Sequence, residues 1–274
     1  MSGASGRIEE GFAAGLVLGI ETSGGLTGTA LAQDGRLIAE SALDIWARSQ
    51  EMLMAQVERV LGDHGRRPSD LARIGVAVGP GSFTGLRVGI AAAQGLALGL
   101  GIPCVAVSSH QALGLPYRGL DCDLVFLTGE RRGTVMLEAG RWVGADWQAW
   151  LPAEAVAIDT VEARLRAGPA SRTLLFIGEA VDSIRRAQAR LADLGSAIDD
   201  PFHAVRRPGA VARLAASAGA RLIPPTELER LAPVYLRGAD ARRPERRPAA
   251  EGPTRPSGPA GPEATGRETD AKRE

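Results

Sequence analysis

Between Gly79 and Gly99 the chain reads GPGSFTGLRVGIAAAQGLALG, a turn followed by a helix with almost no polar face. The preceding run, Ile74 to Val78, has the length and β-branched content of a buried strand. Gly79-Pro80-Gly81 is turn chemistry, because glycine supplies positive φ and proline presets φ. Ser82 or Thr84 can cap a helix whose first amides lack intrahelical partners. From Leu86 to Gly99 only Arg87 and Gln94 are long and polar. Such a helix is buried in a core or in an interface. Gly85, Gly89, Ala92 and Ala93 recur at i, i+4, i+7 and i+8, which builds a small-residue stripe that a second helix could approach closely. Each helical glycine costs about 1 kcal/mol relative to alanine, so close packing has to offset it.

Composition narrows what the chain does. With 45% hydrophobic and 23% charged residues among 274, it reads as a globular protein of one large or two ordinary domains. Formal net charge is zero and aromatics make up 4%, which weighs against autonomous nucleic-acid binding by a basic face or by base stacking. The two cysteines, Cys104 and Cys122, form no metal or CxxC pattern and read as reduced, buried thiols. Glu9-Glu10 stands where a signal peptide needs positive charge. The apolar window Val88 to Val107 fits helix, turn and strand better than a membrane span. A cytoplasmic protein is expected. The only lysine is Lys272, which excludes a P-loop or Schiff-base lysine in the body of the chain.

The pattern predicts strands at Leu16–Ile20, Thr27–Ala32 and Arg36–Leu43, the last two joined by the hairpin pair Asp34-Gly35. A helix follows over Ser49–Leu61, with Leu53, Val57, Val60 and Leu61 on one face and Met52 and Met54 beside them. Then come the Ile74 strand, the glycine-rich helix, a strand at Cys104–Val107 and a helix at Ser109–Leu115. This β-β-β-α-β-α-β-α order is that of a ribonuclease-H-like half. Strands at Asp123–Leu127, Thr134–Glu138 and Thr173–Ile177, with helices at Thr160–Arg166, Ala180–Leu194 and Gly209–Ala218, partly repeat it. The expected organisation is a disordered N-terminus (1–15), a first lobe (16–115), a second, degenerate lobe (116–238) and a disordered Pro/Arg/Glu-rich tail (239–274).

Three stretches invite a chemical reading. The spacing Gly79-x-Gly81-x-x-x-Gly85 is not a dinucleotide fingerprint, and no acidic residue follows at the ribose position. A strand-to-helix turn is the simpler reading. Glu21-Thr22-Ser23 ends the first strand where the phosphate hairpin of an actin-like ATPase would sit. Glu21 could hold hydrated magnesium, with the Thr22 and Ser23 hydroxyls near phosphate; strand-end turn chemistry explains the same residues equally well. His64, His110 and His203 form no metal pair and read as surface or loop residues. Ser82 lacks a nucleophile frame. No catalytic or metal residue is assigned.

VLGIETSGGLTGTALAQDGRL, GVAVGPGSFTGLRVGIAAAQGLALGLGIPCVAVSS and APVYLR together resemble the bacterial TsaB (YeaZ) family. The likeness is close over Leu16 to Ser109 and returns at Pro233 to Arg237. It implies an α/β protein of the actin/Hsp70/sugar-kinase-like (ASKHA) fold with two ribonuclease-H-like lobes. It implies a non-catalytic dimerisation subunit that binds and activates the TsaD threonylcarbamoyltransferase, which makes N6-threonylcarbamoyladenosine beside the tRNA anticodon. A small ATPase, TsaE, would join the complex, and the chain would meet tRNA only through it. ATP and magnesium would be used by the complex and no cofactor bound by this chain alone. The resemblance also implies that Met52, Leu53, Gly85, Gly89, Ala92 and Ala93 contact TsaD, or a second copy in a homodimer, as a four-helix arrangement. Glu21-Thr22-Ser23 would be a vestigial nucleotide site, with Glu21 where the family usually shows Asp. A stand-alone magnesium-dependent ATPase or kinase of the same superfold is the alternative.

Overall fold

The computed structural model describes residues 11–44, 49–169, 173–187, 191, 193–197 and 204–236. Its centre is strand β1 (Leu16–Glu21), whose six residues are all buried. A strand with no polar alternation must be covered on both faces. On one side of β1 lies β2 (Thr27–Gln33), antiparallel, which turns through Asp34-Gly35 into β3 (Arg36–Leu43). Both turn residues have positive φ (51° and 77°), as a two-residue hairpin requires. On the other side β4 (Leu71–Gly79) and then β5 (Cys104–Ser108) add in parallel. Helices α1 (Ser49–Gly62) and α2 (Phe83–Leu100) supply the two parallel crossovers. α3 (Ser109–Gly114) follows β5 directly.

The second sheet repeats this plan. β6 (Asp123–Arg131) pairs antiparallel with β7 (Thr134–Val143), β7 with β8 (Asp146–Ala157), and β6 parallel with β9 (Leu174–Ile177). α4 (Val161–Arg166) precedes β9, and α5 (Val181–Ala187) leads toward β10 (Gly195–Ala197), which pairs parallel with β9. The order β3-β2-β1-β4-β5 in one sheet is matched by β8-β7-β6-β9-β10 in the other. The chain is thus an α/β protein of two ribonuclease-H-like lobes, the ASKHA architecture. β8 is absent from the expected elements because Pro152 breaks its sequence pattern; as an edge strand it runs on through the proline. Of the helix expected over 180–194, the structure gives Val181–Ala187, and β10 is a strand beyond it.

The chain then returns to the first sheet. α6 (Pro208–Ala216) lies across β1, β2 and β4, and β11 (Leu222–Ile223) pairs antiparallel with β5. These elements lie inside the span 116–238 expected as the second lobe, yet they complete the first. The contact is close because Gly75 lacks a side chain: a Cβ there would stand 2.4 Å from that of Ala215. The described part of the expected disordered N-terminus is paired as well. Phe12 bridges Ser217, and Ala13 N–H donates to Ala216 O at 2.9 Å. Phe12 buries its ring against the α6 cluster, a gain that composition alone did not reveal. The expected tail, 239–274, lies outside the described residues.

Candidate functional site

The first candidate is the cleft between the two sheets, a cavity of about 1200 Å³ bordered by the β1–β2 turn, the start of α2 and the β6–β7 hairpin. Of Glu21, Thr22 and Ser23, only Ser23 borders it. Glu21 is fully buried. Its Oε1 accepts from Ser23 N–H at 2.6 Å, while Oε2 has no hydrogen-bond partner among the described residues. Burial raises its pKa above the ordinary 4.5, although the charge of Arg206 and the bonds to Ser23 pull the other way. A carboxyl group pushed toward its neutral form is a poor ligand for magnesium. Thr22 turns away from the cleft and donates its hydroxyl to Gly85 O at 2.7 Å. The three residues do not fit a metal-bound nucleotide.

Arg206, which no sequence motif marks, dominates the floor of this cleft. It is 4% exposed. One terminal nitrogen donates to Ser23 O (2.8 Å), Ser23 Oγ (2.9 Å) and Pro80 O (3.1 Å). The other donates to Glu179 Oε1 at 3.1 Å, and that oxygen also accepts from Gly129 N–H at 2.9 Å. At the cleft mouth Phe83 and Tyr235 stack with centroids 4.9 Å apart. The Arg87 guanidinium lies 3.9 Å above the Phe83 ring, and its Nε–H donates to the Tyr235 hydroxyl at 2.8 Å.

The second candidate is α2. The stripe expected to meet a partner faces inward. Gly85, Gly89 and Ala93 are buried, Leu53 on α1 is 1% exposed, and Ala92 and Met52 are half-buried. What approaches Gly85 and Gly89 closely is the chain's own Thr22. A Cβ at Gly89 would stand 2.3 Å from Thr22 Oγ1, and one at Gly85 2.0 Å from Thr22 O. A helix apolar all round carries more than one small-residue stripe, and periodicity does not say which points out. The exposed one is Ala91, Gly95 and Gly99, with Thr84, Arg87 and the 69%-exposed Leu98. α1 runs beside α2 and exposes Met54. Behind α2, the Gln94 amide donates to Leu228 O (2.8 Å) and Leu231 O (3.1 Å). α2 is the one described helix long and apolar enough to cross a membrane, and it packs one face on β4 and β1.

One histidine also differs from expectation. His64 is exposed and His203 lies outside the described residues, but His110, on α3, is fully buried against the second sheet. Its Nδ1 lies 2.7 Å from Glu138 Oε2 and its Nε2 2.9 Å from Thr128 Oγ1. A carboxyl oxygen beside Nδ1 assigns the proton there, leaving Nε2 to accept from the threonine hydroxyl. Trp147 Nε1–H donates to the other Glu138 oxygen at 2.7 Å, and the imidazole stacks on Phe126 at 4.9 Å. Burial lowers the pKa of His110, with Glu138 opposing. Both described cysteines are free. Cys104 is buried, with its thiol pushed up to about 12, whereas Cys122 is half-buried.

Comparisons with known proteins place this geometry. The family model described as TsaD, tRNA N6-adenosine threonylcarbamoyltransferase, matches residues 46–203. The Bacillus subtilis (strain 168) tRNA threonylcarbamoyladenosine biosynthesis protein TsaB is 38% identical over 119 residues, covering 43% of this chain and 52% of that protein. The match thus spans about half of that relative's length. An uncharacterized protein of Mycobacterium tuberculosis (strain H37Rv) is 33% identical over 168 residues, covering 58% of this chain and 76% of that one. The solved structure of YeaZ from Pseudomonas aeruginosa superposes with a TM-score of 0.64 at 21% identity, covering 81% of this chain and all of that one.

Proposed function

Since the chain belongs to the TsaB (YeaZ) family, we propose that it is the accessory, non-catalytic subunit of a tRNA threonylcarbamoyladenosine-forming complex. On this reading it pairs with a TsaD-like transferase through the outer face of α2 and the adjoining α1. One observation carries the pairing. Gly95 and Gly99 sit in a long helix with none of the described residues within 4 Å of where a side chain would be, so nothing among the described residues offsets their cost in helix stability. Ala91, Gly95 and Gly99 follow one another at i, i+4 and i+8 on the exposed face, and Leu98 stands beside them. A helix of the partner laid along that stripe would approach the backbone closely and cover the leucine.

The transferase supplies the chemistry, this chain supplies the surface that activates it, and a TsaE-like ATPase joins the assembly. Without its partner the chain pairs with a second copy through the same face. It works in the cytoplasm and reaches tRNA through the complex. The reading as a stand-alone magnesium-dependent ATPase draws no support from Glu21, which is buried and turned from the cleft. Depleting the chain in its host and measuring N6-threonylcarbamoyladenosine in total tRNA by mass spectrometry tests the proposal. Loss of the nucleoside, restored by the wild-type chain but not by Ala91→Arg, is expected. Unchanged nucleoside levels on depletion would contradict it.

A further inference from the structure

We propose that Arg206 is a built-in cation, seated between the Ser23–Gly25 turn and the Gly79–Gly81 turn, that excludes a magnesium nucleotide from the floor of the inter-lobe cleft. Under the ATPase reading this is where a phosphate and its metal would go. Both turns are shaped around the arginine. A Cβ at Gly81 would stand 2.6 Å from its terminal nitrogen, and one at Gly24 3.1 Å from its Cδ. The guanidinium takes the Ser23 and Pro80 carbonyls, one from each turn, and the Ser23 hydroxyl. Oxygens that could complete a metal's shell are therefore already engaged by a positive charge.

Three backbone donors beside the arginine are spent too. Ser23 N–H goes to Glu21 Oε1, Ser82 N–H to Ser23 O and Gly85 N–H to the Ser82 hydroxyl. Glu21, fully buried and absent from the cavity lining, presents no carboxylate oxygen to it. The remaining terminal nitrogen reaches Glu179, at the turn between β9 and α5. Arg206 thus ties the second sheet to both turns of the first, fixing the cleft opening as well as filling its floor. The inference does not depend on pairing through α2, and its failure would leave that reading standing.

The full-length chain and Arg206→Ala are titrated with a fluorescent ATP analogue, with and without magnesium. The wild type is expected to give no saturable signal, and the variant to gain magnesium-dependent affinity by about tenfold or more. Saturable binding by the wild type that Arg206→Ala loses would make the arginine a ligand contact and overturn the inference. Equal behaviour of the two chains would overturn it as well. Because Arg206→Ala removes a buried ion and can unfold the chain, a second readout uses the wild type alone. The Arg206 Nε–H resonance, identified by its loss in Arg206→Lys, is expected to stay unmoved by magnesium-ATP. A shift on adding magnesium-ATP would overturn the inference.

Discussion

The Thr22 hydroxyl donates to the carbonyl of Gly85 at 2.7 Å, across a sequence separation of 63 residues, and this contact lies on the side of α2 that faces inward. The end of β1 lies against the first turns of the helix so closely that Gly85 and Gly89 have no room for a side chain.

Gly89→Ala is therefore expected to destabilise the free chain by about 1–3 kcal/mol, the range for overpacking a tight contact. Urea unfolding followed by circular dichroism measures it. Gly89→Arg should fail to fold rather than fold and lose its partner, so it is not a test of the interface. Wild-type stability in Gly89→Ala would place the helix differently.

Gly95→Ala should do the opposite. With open space around the position, alanine gains helix propensity, and the free chain is expected to become more stable by up to about 1 kcal/mol. The added methyl group stands on the proposed partner face, so affinity for the TsaD-like protein should fall while stability rises. The same unfolding experiment, paired with calorimetry, reads both signs. A variant that loses stability would show that Gly95 is packed within the chain.

Periodicity and turn residues made β1 to β5 of the first sheet and its crossover helices legible, because most of these strands are short apolar runs bounded by glycine or proline. The strands with weak local signals were not legible: β8 holds Pro152 at a sheet edge, while β10 and β11 are three and two residues long and owe their conformation to pairing. The candidate interface was half legible. The stripe of small residues expected to meet a second helix meets the chain's own Thr22 instead, because α2 has two such stripes and only the fold says which is turned out. Arg206 and Glu179 gave no signal at all, since their roles depend on three turns distant in sequence meeting at one point. His110 looked like a surface histidine because nothing local marks its partners, Thr128 and Glu138.

His110 links stability to acidity. Its folded pKa lies below the ordinary 6.5 because burial disfavours the imidazolium. Below 6.5 the unfolded chain takes up a proton that folded His110 refuses, so stability declines as pH falls from 6.5 through the lowered folded value. His110→Gln should flatten that part of the profile and cost about 1–3 kcal/mol near neutrality, because buried partners lose a hydrogen bond. Chemical denaturation across acidic to neutral pH compares the two chains. Identical slopes would contradict a buried, neutral His110.

Glu21 has the reverse sign. Its folded pKa is raised above 4.5, so the stability linked to its protonated form is present at acid pH and lost as pH rises through the raised value. Glu21→Gln, which keeps an acceptor for Ser23 N–H, is expected to hold or raise stability at neutral pH and to remove that dependence. Marked destabilisation at neutral pH would show the charged carboxylate to be needed, as a metal ligand or as the partner of Arg206.

The pairing through α2 is tested most directly by calorimetric titration of the full chain with the purified TsaD-like protein from the same organism, comparing wild type, Ala91→Arg and Gly95→Arg. The account predicts a saturable complex with the wild type, and affinity reduced by about a hundredfold or more in both variants, which retain the wild-type circular dichroism spectrum. Unchanged affinity in two correctly folded variants, or no complex with the wild type, would contradict it.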